Sequence, residues 1–331
     1  MLRSSNAWAF ALLALLAACD EDDPVIPPED PPNLHGIGSY NGGEFSLFAV
    51  GDGGTILNYR GIEWREMTSP TTNTLRDVSA LNTTLAYAVG DAGTILRYNG
   101  TSWSKVASPT TKGLRSLWAA QVSAPDTLVF GAGTFLAVGT GGVILLNDGS
   151  GWVEETSPTT EDLDGVWGLT GGEAYAVGKN GAVIHRSGGV WSSVAAFTSS
   201  RLRAIWADKP LDWFAVGDNG EIWQERGSGW TAMVSPRSEN LHDVFGSDSA
   251  FVFTAGEADS ILFYDGFEWT PIAPRVADRL DAVWATVCAL PSFPGAARSA
   301  LHCSNTYFAG TTSVITRFTL LGSYEIMNDP R

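Results

Sequence analysis

Residues 87–103 read "YAVGDAGTILRYNGTSW", and residues 51–54 repeat the glycine loop as "GDGG". Such a loop either cradles a ligand or turns the chain. A phosphate-binding glycine loop must lead into a helix, whose N-terminus aims amide groups at the anion. Here the glycines run into "TILRY", "VILLN" and "EIWQE", which read as strands. The loop recurs as "GDGG", "GDAG", "GTGG", "GKNG" and "GDNG", so a ligand loop would demand several copies of one site. A tight hairpin asks instead for positive φ, which glycine adopts without steric cost. The loop therefore reads as a turn.

The turn belongs to a repeat. Glycine ends the "AVG" phrase at Gly51, Gly90, Gly139, Gly178, Gly217 and Gly256, and thirteen residues after each stands Trp64, Trp103, Trp152, Trp191, Trp230 and Trp269. Eleven residues further on come Leu75, Leu114, Leu163, Leu202, Leu241 and Leu280. A seventh unit is degenerate: "YFAG" ends at Gly310, Ser323 occupies the tryptophan place and Tyr324 follows it. Each unit divides into four short strands, as in "LRDVSA", "YAVG", "TILRY" and "WSKV", and no helical stripe follows the first nineteen residues. Units of about 39 residues with four strands each predict an all-β fold, a seven-bladed β-propeller of four-stranded antiparallel blades.

At this point the sequence resembles bacterial propellers of the BNR or Asp-box kind, especially the photosystem II assembly-factor type, whose blades carry "AVG-x-x-G-x-I" and then a Gly-x-x-Trp turn. Gly61, Gly100, Gly149, Gly188, Gly227 and Gly266 match that turn. The aspartate that names the box does not: Tyr59, Tyr98, Asn147, Arg186, Glu225 and Tyr264 stand in its place. The resemblance implies an assembly or binding role, without implying photosynthetic partners.

The first eighteen residues hold one positive side chain, Arg3, and an apolar run from Ala7 to Ala18, the proportions of a secretory signal. "LAAC", ending at Cys19, resembles the lipobox of bacterial lipoproteins, in which the cysteine is lipidated; the alternative is an ordinary signal cleaved near Ala18. Residues 19–33 continue "CDEDDPVIPPEDPPN", too acidic and proline-rich to bury apolar surface, and read as an extended tether. The propeller is expected over 34–331. Loss of Arg3 with the signal leaves 36 acidic against 19 basic side chains, a formal charge of −17. That balance opposes binding to nucleic acid or an anionic lipid face. The expected product is an exported monomer held to a bacterial membrane by its lipid alone, facing the periplasm or the cell exterior. Cys288 and Cys303 are expected to form a disulfide, worth about 3 kcal/mol on the chain-entropy model.

Two features point to a binding face. Most units use 15 residues from the first-strand leucine to the "AVG" glycine, but the third uses 25 and the seventh 30. Both excursions fall in the same connection, so they emerge on one face. The seventh, "ATVCALPSFPGAARSALHCSNT", offers Leu290, Phe293 and Arg298 as contacts for a partner. The residue after each first-strand leucine is His35, Arg76, Arg115, Asp164, Arg203, His242 and Asp281, polar in every unit. First strands line the channel of a propeller, so these seven are expected to form a mixed-charge ring at one mouth, able to take an anionic small molecule or a peptide terminus. The repeated tryptophans read as packing between blades, whereas Trp213 and Trp223 break the pattern and are candidates for exposed contacts.

Catalysis finds little support. Four histidines lack metal-ligand spacing, no acidic calcium loop or G-x-S-x-G nucleophile motif is present, and no cofactor or metal is expected. The sequence predicts a non-catalytic scaffold that recognises a protein or a surface polymer. The alternative is a glycan-acting enzyme of the sialidase-like propeller class, with Arg76, Arg115 and Arg203 imagined as its arginine cluster.

Overall fold

A computed structural model describes residues 32–39, 47–59, 64–120, 133–169, 172–258, 260–272, 279–285, 306–310, 315–318 and 324–327. These pair into four-stranded antiparallel sheets, each built from one continuous stretch of chain in meander order. The first is Leu34–Gly38, Leu47–Gly51, Ile56–Tyr59 and Trp64–Glu66. The innermost strands that follow are Leu75–Asn82, Leu114–Ala119, Leu163–Gly168, Leu202–Ala207, Leu241–Asp248 and Leu280–Ala285. The fold is an all-β propeller.

The expected count of seven blades is corrected to six: six sheets are complete blades, whose fourth strands carry Trp64, Trp103, Trp152, Trp191, Trp230 or Trp269. The sheet from Leu280 is four-stranded by backbone pairing, but its fourth strand, Tyr324–Met327, has a tyrosine where the other six have the tryptophan described next. It also completes itself within one stretch of chain. Its inner strands pack against the first blade, and among the described residues no strand is exchanged across that seam.

The tryptophans explain why the blades hold together. Phe48 meets Trp103 of the next blade edge-on at 5.2 Å and 83°, and Tyr87 meets Trp152 at 5.3 Å and 89°. Tyr175 with Trp230 and Phe214 with Trp269 repeat the geometry. Each pair joins the second strand of one blade to the fourth strand of its successor, in the edge-to-face arrangement that aromatic rings prefer. Burying ~200 Å² of ring contributes about 5 kcal/mol per tryptophan before the entropy of ordering it. Second strands such as Phe135–Gly139 are buried on both faces, because blades cover them from either side. Fourth strands are three or four residues long and expose the side chains after their tryptophan, which keeps the outer edges short and polar.

The glycine loops are turns. In "GDGG", Gly53 and Gly54 both lie at positive φ, 63° and 79°, and Ala92, Asn180 and Asn219 take the first of these places in other blades. In blades 1 to 5 the second place is glycine, for a second reason: a Cβ on Gly54 would sit 2.1 Å from the Thr71 carbonyl oxygen, and one on Gly93 would sit 2.0 Å from that of Thr110. The first amide of each loop is already committed. Asp52 N–H donates to Asn33 O and Asp91 N–H to Thr74 O, and the equivalent bond forms in blades 3 to 6.

Candidate functional site: the channel mouth

Every innermost strand breaks register at the residue after its leucine. Leu34 pairs with Gly51 and Gly36 with Val50, leaving His35 without a partner. The same slip leaves Arg76, Arg115, Asp164, Arg203, His242 and Asp281 unpaired. A β-bulge re-aims a side chain. Seven bulges at one repeat position turn seven polar side chains into one cavity of about 400 Å³, which Arg201, Arg279 and Asp91 also line.

Charges at this mouth are paired. Arg76 forms a two-pronged bond to Asp91, with Nε and Nη2 at 3.0 and 2.9 Å from its oxygens. Arg203 Nε donates to Asp218 Oδ1 at 2.5 Å, and His35 Nε2 lies 2.8 Å from Asp52 Oδ1. In each case the partner is the residue after the "AVG" glycine of the same blade. Blade 3 carries Thr140 there, so Arg115 reaches into blade 4, donating to Asp164 at 2.6 Å and to Asp162 at 3.0 Å. Asp164 also accepts two bonds from Arg201 of blade 5. Arg279 donates to Asp281 at 2.7 Å.

The two histidines titrate in opposite directions. Burial opposes the charge on His35, but hydrogen bonds with Asp281 and Asp52 outweigh it and raise its pKa. His242 is lowered to about 4 by burial and then by Arg279 and Arg203, so it is neutral at pH 7. Its Nε2 is buried and has no hydrogen-bond partner; Glu257 Oε1 stands 3.5 Å away without bonding geometry.

Next to the ring lies a space of about 120 Å³ lined in part by aliphatic side chains such as Val78, Leu117 and Val244. Two carboxyls sit at this level. Asp77 accepts the amides of Val78 and of Leu117 in the next blade, both at 2.7 Å. Asp243 does the same for Val244 and for Val283 in the seventh sheet, at 2.8 Å. Ser116 takes the place between blades 3 and 4, accepting from Val166. Burial, opposed by these bonds, pushes Asp77 up to about 7 and Asp243 up to about 8. Sequence reasoning missed this latch, whose only mark is an aspartate two residues after the leucine. It also missed Arg201 and Arg279, although the residue before each leucine forms its own column in the repeat.

The seven residues after the first-strand leucines line one cavity together. Trp213 is not an exposed contact: it is 2% exposed, on a second strand, and packs edge-on against Tyr175 at 4.7 Å. Trp223 is half-buried, with Nε1 donating to Glu221. Cys19, the Cys288–Cys303 pair and the loop residues Leu290, Phe293 and Arg298 lie outside the described residues. Among the described residues no group of histidine, cysteine and acidic side chains could hold a metal ion, and no helix is long and apolar enough to cross a membrane.

No family model matches the chain, and no curated protein matches it. Many solved structures are similar, two among them as follows. One, described as YCF48 bound to D1 peptide, aligns over 88% of this chain and 93% of its own with a TM-score of 0.65 at 17% identity. YCF48 from Cyanidioschyzon merolae aligns over 89% and 98% with a TM-score of 0.64 at 18% identity. At such identities the likeness establishes the fold.

Proposed function

We propose that this chain is a non-catalytic binding scaffold, exported and lipidated at Cys19, that recognises a protein or surface polymer at the bacterial envelope. It would be a lipoprotein propeller of the BNR or Asp-box kind, with a Cys288–Cys303 disulfide bracing its longest loop. One observation carries the non-catalytic reading: six of the seven ring side chains are engaged in ion pairs or charged hydrogen bonds with protein partners. A hydrolase acting on glycans needs an acid and a base free to meet substrate. Here Asp164 and Asp281 are held by arginines, and Asp77 and Asp243 are held by backbone amides.

Recognition is assigned to the mouth and to the long loops between first and second strands. A peptide partner is in keeping with the similar structure described as binding a D1 peptide, though the partner here need not be related. The test is a pull-down from native envelopes with the lipidated chain beside a variant lacking 287–305. A partner lost with the loop supports the scaffold and locates its face. Turnover of a fluorogenic sialoside, abolished by Arg115→Gln, would overturn it in favour of the enzyme.

A further inference from the structure

His242 is the ring member that does not fit the pattern of mutual pairing. Its side chain is 6% exposed, it lines the mouth cavity, and its Nε2 has no hydrogen-bond partner. A buried polar atom left unpaired costs about 1–3 kcal/mol, so its presence asks for an occupant. The neighbouring bulge side chain, Arg203, is held to Asp218 through Nε alone, so its two terminal nitrogens make no protein hydrogen bond. Both residues line the same cavity, and Arg203 is close enough to act on the charge of His242.

We propose that His242 Nε2 and the terminal nitrogens of Arg203 form a subsite for one carboxylate group. The guanidinium fork matches a planar carboxylate, and the imidazole supplies a further donor to the same group. The charged groups facing His242 are Arg203 from blade 5, Arg279 and Asp281 from the seventh sheet, and Glu257 from its own blade. The acidic members of that set, with Asp218, favour a singly charged ligand over a dianionic phosphate. A bound carboxylate favours the protonated imidazole, so the site takes up a proton with its ligand, and affinity rises as pH falls. The inference rests on the scaffold reading only in treating the mouth as a recognition face.

The test uses the full chain with its histidines labelled with 15N; the four ring spectra are then resolvable. Three probes are titrated: acetyl-trialanine with a free terminal carboxylate, its terminal amide, and acetyl-Ala-Glu-Ala amide, which carries its carboxylate on a side chain. One or both carboxylates bind, the plain amide does not, and the comparison tells a chain terminus from an acidic side chain. Binding shifts the His242 titration upward by about one unit from its value of about 4, so affinity strengthens about twofold from pH 8 to pH 5. Arg203→Gln weakens it at least about tenfold with the thermal midpoint of the variant checked. His242→Gln, which keeps a neutral donor, retains the affinity seen at pH 8 and loses the gain at pH 5. Equal binding of acid and amide, an unmoved His242 titration, or no binding at about 10 mM overturns the subsite. A partner captured through the loops would survive any of those results.

Discussion

The Asp281 carboxylate spans the seam of the ring: Oδ2 lies 3.8 Å from His35 Nδ1 in the first blade, while Oδ1 accepts 2.7 Å from Arg279 Nε. The last sheet is therefore joined to the first by charge where no strand crosses. His35 has a raised pKa in the folded chain, so its protonated form stabilises the fold. That contribution is full below about pH 6.5, the ordinary histidine value, and is lost as pH rises through the higher folded value. Asp281→Asn should cost about 2 kcal/mol at pH 6 and less at pH 9. Thermal midpoints measured across that range check it; an equal loss at both ends would sink the coupling.

Asp243 sets a slope of the same sign by a different route. Its unfolded carboxyl titrates near 3.8 and its folded one at about 8. Between those values the native state holds a proton that the unfolded chain has released, so stability falls as pH rises from 5 to 8. Asp243→Asn removes the titration. Denaturant midpoints of the variant should change less over that interval than those of the parent.

Glu155 joins blades 3 and 4. It accepts from Arg186 Nε and Nη2 at 3.1 and 2.8 Å and from Trp191 Nε1 at 2.7 Å. Arg186 is 5% exposed, so removing its partner strands a buried charge. Glu155→Ala should cost about 3–5 kcal/mol in chemical denaturation, and the double change Glu155→Met with Arg186→Met much less than the single one. A single variant as stable as the parent would contradict the buried pair.

Adjacent glycines in the third turn should differ sharply. Gly141 has φ 61° and only the Lys112 side chain near its missing Cβ, so Gly141→Asn should fall within about 0.5 kcal/mol of the parent. Gly142 faces the Thr159 carbonyl oxygen at 2.1 Å, and Gly142→Ala should lose about 2 kcal/mol or more. Urea midpoints of the two variants test the contrast.

Much of this was legible in the sequence because each unit solves one packing problem. The spacing from Gly51 to Trp64 to Leu75 repeats since a tryptophan wedge and a glycine turn must recur wherever two blades meet. The mouth ring was legible as a column of polar residues. What the column hid was the bulge that aims it, because a register slip depends on the partner strand. The pairing of Arg115 with Asp162 and Asp164 was hidden for a similar reason: it crosses between blades and replaces a local partner that Thr140 cannot supply. Trp213 misled because a tryptophan outside the repeat columns looks available, yet the second strand it occupies is covered on both sides.

Each sheet closes within its own stretch of chain, and this makes the linkers interchangeable as chain ends. Opening the backbone between Pro158 and Leu163 would sever no strand pair, whereas in a propeller latched by strand exchange one opening is privileged. By the same logic, duplication of one unit inserts a whole wedge with its own turn and its own bulge. The ring then gains or loses a polar side chain at the mouth in a single genetic step, and the recognition face is revised without redesigning the core.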